Sequence, residues 1–138
     1  MASIRREVRL SADPSVVWDA LKDVGAVHTR LARGFVVATN LDGGDRVVTF
    51  ANGLQVRERI VTVDEVHRRL VYAAVSGRTT HHNASFEITE ARDGQCVLVW
   101  VADLLPDEMA GPIASMMDAG LDAIRRTVES GAAAGSEG

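Results

Sequence analysis

One acidic residue lies among the apolar positions of a segment that otherwise has the pattern of a half-buried strand. Residues 54–61 follow an Asn52-Gly53 turn signal and alternate at a period of two. Val56 and Ile60 belong to the apolar face, and Glu58 falls between them on that face. Because an ionised carboxylate is costly to bury unless a cation or water meets it, this position predicts a polar group facing a cavity behind the sheet.

Three roles are open to Glu58. The first is a salt bridge, with Arg46 as the candidate partner. A two-residue Asn-Gly hairpin would place Val47 opposite Glu58 and turn Arg46 to the other face, whereas a one-residue bulge would bring Arg46 inward. The second role is a polar anchor for a ligand hydroxyl, held directly or through water. The third is that of a catalytic acid or base.

Two adjacent histidines, His81 and His82, cannot chelate one metal ion from a strand, because neighbouring side chains point to opposite faces. His82 shares its parity with Ala84 and Phe86, so it is the inward histidine and is expected in the cavity wall. Proton transfer between Glu58 and His82 requires that they meet across the cavity, which no spacing demonstrates. These two are weak catalytic candidates, no catalytic residue is assigned, and neither a metal nor a cofactor is predicted.

The remaining candidates are aromatic and sulfur-containing side chains. Trp100 and Tyr72 each carry a polar atom that a ligand can meet when the ring is buried. The others are expected in the cavity wall or the core, and the pattern alone does not divide the two. The candidate ligand-binding residues are therefore Glu58, His82, Trp100, Tyr72, Phe50, Phe86, Met116 and Met117.

The elements that would position these residues follow one another as a strand, two short helices, about six strands and a long helix. Residues 3–10 alternate as a strand, and Asp13-Pro14 supplies an N-cap and a first helical residue. A second short helix is predicted over 26–31. Turn signals between 35 and 105 separate strands joined by hairpins, which makes the sheet antiparallel. Pro106 ends the last strand.

The long C-terminal helix carries an apolar stripe spaced by three and four residues. Its members are Met109, Ile113, Met116, Met117, Gly120, Leu121, Ile124 and Val128. Residues 1–130 are predicted to form a single domain, and 131–138 a flexible C-terminal tail. The fold class is α+β, in which a curved antiparallel sheet of about seven strands wraps around the long helix.

Composition narrows the classes of partner. The chain has 138 residues, a net charge of −4 and no basic stripe, which disfavours nucleic acid. Cys96 is the only cysteine, so a structural thiol is expected rather than a disulfide or a zinc site. The N-terminus lacks an apolar signal-peptide core, and no apolar run reaches membrane-spanning length. We therefore expect a cytoplasmic protein without membrane insertion, and a homodimer through the sheet face or an edge strand is an open expectation.

Four motifs in this order resemble the START-like (SRPBCC) superfamily, in its polyketide cyclase/dehydrase-like branch. The matching segments are 12–21, 56–60, 68–72 and 97–100, the last followed by Pro106. The resemblance covers nearly the whole chain up to the tail. It implies a helix-grip fold with a deep hydrophobic cavity between the curved sheet and the C-terminal helix. In similar proteins the positions of Glu58, His82 and Trp100 face that cavity, and hairpin tips matching 51–54 and 76–79 guard its entrance.

The function that the resemblance implies is binding of a small, largely hydrophobic molecule, lipid- or polyketide-like, by a carrier or sensor. The alternative is a polyketide cyclase/dehydratase-like enzyme, with proton transfer at Glu58 or His82. A co-chaperone-type interaction domain is disfavoured, because such relatives carry a tryptophan-rich motif near the last strand and helix, where this chain has only Trp100. Binding is preferred because no nucleophile, metal constellation or paired carboxylates emerge.

Overall fold

Short hairpin connections and alternating strands produce a single sheet, and the helical segments cover one of its faces. The computed structural model describes the backbone of residues 1–137 and the side chains of residues 1–131. The strands are β1 (Ala2–Leu10), β2 (Val36–Asp42), β3 (Asp45–Phe50), β4 (Gln55–Asp64), β5 (Arg69–Ala74), β6 (His81–Arg92) and β7 (Gln95–Leu105). The helices are α1 (Pro14–Lys22) and α2 (Ala110–Glu137), with a π-helical turn (Val27–Leu31) and a 3₁₀ turn (Asp107–Met109).

The sheet is antiparallel and runs in the order β1-β7-β6-β5-β4-β3-β2. Strands β2 to β7 follow one another as hairpins, whereas the chain after β1 crosses through α1 and the π-helical turn to the opposite edge. β1 then pairs with β7, from Ala2 opposite Leu104 to Leu10 opposite Cys96. The sheet is curved and unclosed, with β1 and β2 as its two edges. This arrangement confirms the predicted α+β helix-grip fold.

The start of α1 shows where a local prediction holds and where it fails. Pro14 is the first helical residue, as predicted, and Asp13 precedes it in an extended conformation. The Asp13 side chain, however, makes no capping hydrogen bond. It accepts instead from the Ser15 hydroxyl and from the Gly94 backbone N–H, because a nearby hydroxyl competes with the helix for the carboxylate. Val17, Trp18 and Leu21 form the buried face of the helix.

The predicted stripe of α2 divides into two halves. Towards the C-terminus Met117, Leu121, Ile124 and Val128 are at most 5% exposed and belong to the core. Towards the N-terminus Ile113 and Met116 are only partly buried, and so is Met109, which lies in the 3₁₀ turn before the helix rather than in the helix as predicted. The helix packs most closely on β1 and the π-helical turn, so its N-terminal half leaves space in front of the central strands. None of the helices in the described part of the chain is both long and apolar enough to cross a membrane.

The tail predicted over 131–138 begins inside α2, whose backbone continues to Glu137. The side chains beyond residue 131, and Gly138 altogether, lie outside the described part of the chain. The flexibility of this segment and the domain boundary at residue 130 therefore stay predictions. A homodimer and a cytoplasmic location stay predictions as well.

Candidate functional site

A cavity of about 540 Å³ lies between the sheet and the N-terminal half of α2. Seven of the eight predicted ligand-binding residues line it: Glu58, His82, Trp100, Tyr72, Phe50, Phe86 and Met116. Met117 does not line it and is 1% exposed in the core. The two methionines are neighbours on α2, so the rotation of the helix about its axis decides which one faces the cavity.

The β3–β4 hairpin determines which charged side chains face this cavity. Its loop contains three residues, because Thr49 pairs with Gln55 and the Phe50 N–H donates to the Leu54 carbonyl across the turn at 2.8 Å. Gly53 has a φ of +87°, the left-handed conformation of the bulge that closes such a loop. The extra residue places Arg46 directly opposite Glu58. Of the two registers left open by the sequence, the structure has the bulged one.

Arg46 and Glu58 form a buried ion pair in the cavity wall. The Arg46 Nε donates to Glu58 Oε1 at 2.8 Å, and only 3% of the Arg46 side chain is exposed. Burial raises the pKa of the Glu58 carboxyl above its ordinary value, and the Arg46 guanidinium opposes that rise. The second carboxylate oxygen accepts no hydrogen bond within the described chain, yet no fully buried polar atom there lacks a partner. Glu58 therefore presents an accessible acceptor to the cavity.

Stacked aromatic rings form the wall next to the ion pair. The Phe86 ring lies 4.5 Å from the Trp100 ring and 6.2 Å from the Tyr72 ring, centre to centre. The Trp100 Nε1–H donates to the Tyr72 hydroxyl oxygen at 3.1 Å. The suggestion that the indole N–H would meet a ligand is thus corrected, since Tyr72 is its acceptor.

The Tyr72 hydroxyl keeps its own proton available for donation. Burial, followed by the nearby Glu58 charge, raises the pKa of this phenol, so it stays neutral. It accepts from Trp100, and no acceptor for its proton is found among the described residues. The Arg46 guanidinium lies 5.3 Å from the Tyr72 ring centre, which places the tyrosine ring beside the ion pair. An acceptor at Glu58 and a donor at Tyr72 therefore belong to one polar cluster in an apolar cavity.

His82 contributes to the wall without joining that cluster. It lines the cavity and His81 does not, which confirms the opposite orientations predicted for the pair. Burial, with a smaller effect of His81, lowers the pKa of His82 and favours the neutral imidazole. No hydrogen bond joins His82 to Glu58 in the described chain, so a direct proton-transfer pair is not formed. No cluster of three or more potential metal ligands occurs among the described residues either.

Sequence reasoning missed part of the apolar wall. Phe35 precedes β2, lines the cavity and packs edge-on against Phe50 with 5.3 Å between ring centres. An aromatic residue next to a predicted strand was the available signal, but its loop position concealed its orientation. Cys96 is 0% exposed, and burial raises its thiol pKa, which agrees with the expected structural thiol.

Gly120 lets the aromatic wall approach α2. A Cβ atom added there would lie 3.0 Å from Trp100 Cζ3 and 3.2 Å from Phe35 Cε2. We expect Gly120→Ala to lower the free energy of unfolding by about 1–2 kcal/mol, because overpacking outweighs the gain in helix propensity. Gly131→Ala is the matched control, since its added Cβ would have no neighbour within 4 Å among the residues whose side chains are described. Urea unfolding measures both, and an equal gain in stability for the two variants would contradict the tight contact.

Comparisons with known proteins agree on family and fold. A family profile described as polyketide cyclase/dehydrase and lipid transport matches residues 1–129. A solution structure of a Thermobifida fusca protein is 30% identical, with a TM-score of 0.73 and 91% of each chain covered. No curated protein sequence matches the chain closely enough to count as a relative.

Two further solved structures share the fold at lower identity. A START superfamily protein from Mycobacterium smegmatis has a TM-score of 0.73 at 10% identity, with 94% of this chain and 96% of that chain covered. Norcoclaurine synthase from Thalictrum flavum, in complex with dopamine and hydroxybenzaldehyde, has a TM-score of 0.70 at 20% identity. That match covers 91% of this chain and 84% of the synthase.

Proposed function

Since the chain belongs to the polyketide cyclase/dehydrase and lipid transport family, within the START-like superfamily, we propose that it binds a small, largely hydrophobic molecule as a carrier or sensor. The supporting observation is the cavity of about 540 Å³, whose inner wall is apolar except for one polar cluster and His82. Pockets of this size with a few convergent polar groups are typical of small-molecule sites. The ligand is lipid- or polyketide-like in its apolar body.

The polar cluster favours a hydroxyl on the part of the ligand that reaches it. Glu58 offers an acceptor and Tyr72 offers a donor, and a hydroxyl can satisfy both at once. A carboxylate would instead meet the negative charge of Glu58. Among the candidate residues, Glu58 and Tyr72 are therefore proposed as the polar contacts. His82, Trp100, Phe50, Phe86 and Met116 supply the surrounding wall.

Filling the cavity from β5 tests the proposal. Ala74 lines the cavity opposite Glu58, whereas its neighbour Ala73 points to the other face of the sheet. We expect Ala74→Phe to weaken binding of N-phenyl-1-naphthylamine, a neutral dye that brightens on leaving water, by about tenfold or more. Fluorescence titration gives the dissociation constants, and Ala73→Phe serves as the matched control.

The control separates loss of the cavity from loss of the fold. Ala73→Phe is expected to bind the dye like the unmodified protein, and circular dichroism should show both variants folded. Unchanged dye binding by a folded Ala74→Phe protein would place the dye elsewhere and contradict the proposed site. Failure of the unmodified protein to bind the dye would contradict the proposed function itself.

An enzyme of the polyketide cyclase/dehydratase type is the second candidate. The observation in its favour is that Glu58 is a carboxyl in the cavity wall whose pKa is raised above its ordinary value by burial, a perturbation that is common among catalytic acids and bases. Two observations favour binding instead: Glu58 is engaged by Arg46, and His82 is not hydrogen-bonded to it. Turnover of a polyketide-like substrate that disappears in Glu58→Gln would reverse this preference.

A further inference from the structure

The mouth of the cavity has a different chemical character from its interior. Two hairpin tips and the start of α2 surround it, and both tips contribute lining residues: Asn52, Leu54, Ser76, Gly77, Arg78 and Thr79. The interior carries the Glu58 acceptor and the Tyr72 donor next to a balanced ion pair, with the neutral imidazole of His82 in the wall. At the mouth, by contrast, hydrogen-bond donors and a positive charge accumulate.

Local hydrogen bonds leave the donors of the two tips available. The Asn52 side-chain oxygen accepts the Leu54 backbone N–H at 3.0 Å, which leaves its amide hydrogens unused. The Ser76 hydroxyl oxygen accepts the Arg57 backbone N–H at 2.9 Å, which leaves the hydroxyl hydrogen unused. Asn52 thus uses an acceptor within its own loop and Ser76 uses one on the neighbouring strand β4, and both keep donors for another group.

The cavity mouth also carries a positive charge that has no counter-charge among the described residues. Among the described residues that line the cavity, Glu58 is the one carboxylate, and Arg46 neutralises it. Arg78 forms no ion pair with any residue in the described part of the chain. Asp107 and Glu108 precede α2 without lining the cavity, and Asp107 pairs with the N-terminal ammonium at 3.3 Å. Although the net charge of the protein is −4, the described residues therefore leave the Arg78 cation at the cavity mouth uncompensated.

We propose that the mouth binds an anionic group, so that ligands of this cavity are amphiphilic anions whose apolar body lies inside. A guanidinium supplies paired donors that match a carboxylate or a phosphate, and the unused donors of Asn52 and Ser76 add to that recognition. This inference rests on the proposed function and specifies its ligand class. It assigns Arg78 as the residue that selects for charge, whereas Glu58 and Tyr72 select for a hydroxyl further inside.

Displacement of N-phenyl-1-naphthylamine by amphiphiles that share one twelve-carbon tail tests this assignment. Dodecanol, dodecanoate and dodecyl phosphate are compared below their aggregation concentrations. We expect at least one of the anions to displace the dye at about tenfold lower concentration than dodecanol, the size of one charge-assisted hydrogen bond. The more effective anion identifies the head group as a carboxylate or a phosphate.

Two arginine variants distinguish a specific effect of Arg78 at the cavity mouth from the general effect of removing one positive charge. Arg78→Gln is expected to remove the advantage of the anions and leave displacement by dodecanol unchanged. Arg92→Gln is the matched control, because Arg92 is also exposed but ends β6 at the far side from the mouth. It should behave like the unmodified protein.

The outcomes are distinguishable. Equal displacement by dodecanol and both anions, or an equal effect of Arg78→Gln and Arg92→Gln, would overturn the anion site while dye binding still supports the cavity. Absence of dye binding by the unmodified protein would overturn the proposed function, and with it the anion site.

Discussion

Replacement of Arg46 by methionine is expected to lower the free energy of unfolding near pH 7 by about 3–5 kcal/mol, because it leaves the Glu58 charge buried without a partner. The pair is 2.8 Å apart, and the Arg46 side chain is 3% exposed, so water cannot replace the lost cation easily. Equilibrium urea unfolding, followed by circular dichroism, measures the difference from the unmodified protein.

A double variant distinguishes the charge effect from simple loss of packing. Arg46→Met combined with Glu58→Leu removes both charges, and replacement of a buried pair by apolar side chains is commonly neutral or stabilising. We expect this variant to regain most of the stability lost by Arg46→Met. If it were as unstable as the single variant, the loss would come from packing rather than from an uncompensated carboxylate.

The pH dependence of the single variant has a definite sign. Burial raises the folded-state pKa of Glu58, so the folded protein takes up a proton more readily than the unfolded chain between the ordinary and the raised pKa. The contribution of Glu58 to the free energy of unfolding is therefore fully present below its ordinary pKa, and it is lost as the pH rises through its pKa in the folded state. Removal of Arg46 raises that pKa further. The stability deficit of Arg46→Met should accordingly be smaller at about pH 4 than at about pH 7.

The second large effect concerns ligand selection by Glu58. We expect Glu58→Gln to leave the protein folded but less stable, because Arg46 loses its partner, and to reduce the preference for 2-naphthol over 2-methoxynaphthalene by about ten- to a hundredfold, the range for a hydrogen bond to a charged group. The methyl ether lacks the proton that Glu58 would accept, so the ratio of the two affinities isolates that contact. Isothermal calorimetry measures both affinities.

Glu87→Gln is the control for this substitution. Glu87 lies on β6 next to Phe86 but on the other face of the sheet, and it does not line the cavity. It should leave the preference for the naphthol unchanged. An unchanged preference in Glu58→Gln would remove Glu58 from the binding site and leave it with a purely structural ion pair.

The local sequence pattern was sufficient to predict the fold and to predict which face of the sheet Glu58 and His82 occupy. The period-two pattern of β4 and β6 predicted that Glu58 and His82 point inward, and both line the cavity. The last strand ends before Pro106, as predicted. The spacing of α2 correctly identified its apolar stripe. These features depend on neighbours a few residues apart, which the sequence displays directly.

Contacts between side chains of different strands and helices could not be predicted from the local sequence pattern. The contact between Trp100 and Tyr72 depends on the registers of β5, β6 and β7 together, since Ala84 pairs with Tyr72 and Phe86 with Trp100. Which of the adjacent methionines on α2 faces the cavity depends on rotation of the helix. Likewise, the ion pair of Glu58 depends on one extra residue in the β3–β4 loop. In each case the sequence pattern allows more than one arrangement equally well, and contacts between distant parts of the chain determine which one forms.

The bulged β3–β4 loop also matters for reading relatives of this protein. A relative can carry an arginine and a glutamate at the positions of Arg46 and Glu58 and still lack the ion pair, if its hairpin is one residue shorter. Its arginine would then point to solvent, and its glutamate would be a solitary acid in an apolar chamber. Transfer of function within the family should therefore begin by counting the residues of this loop, before the identities of the lining residues are compared.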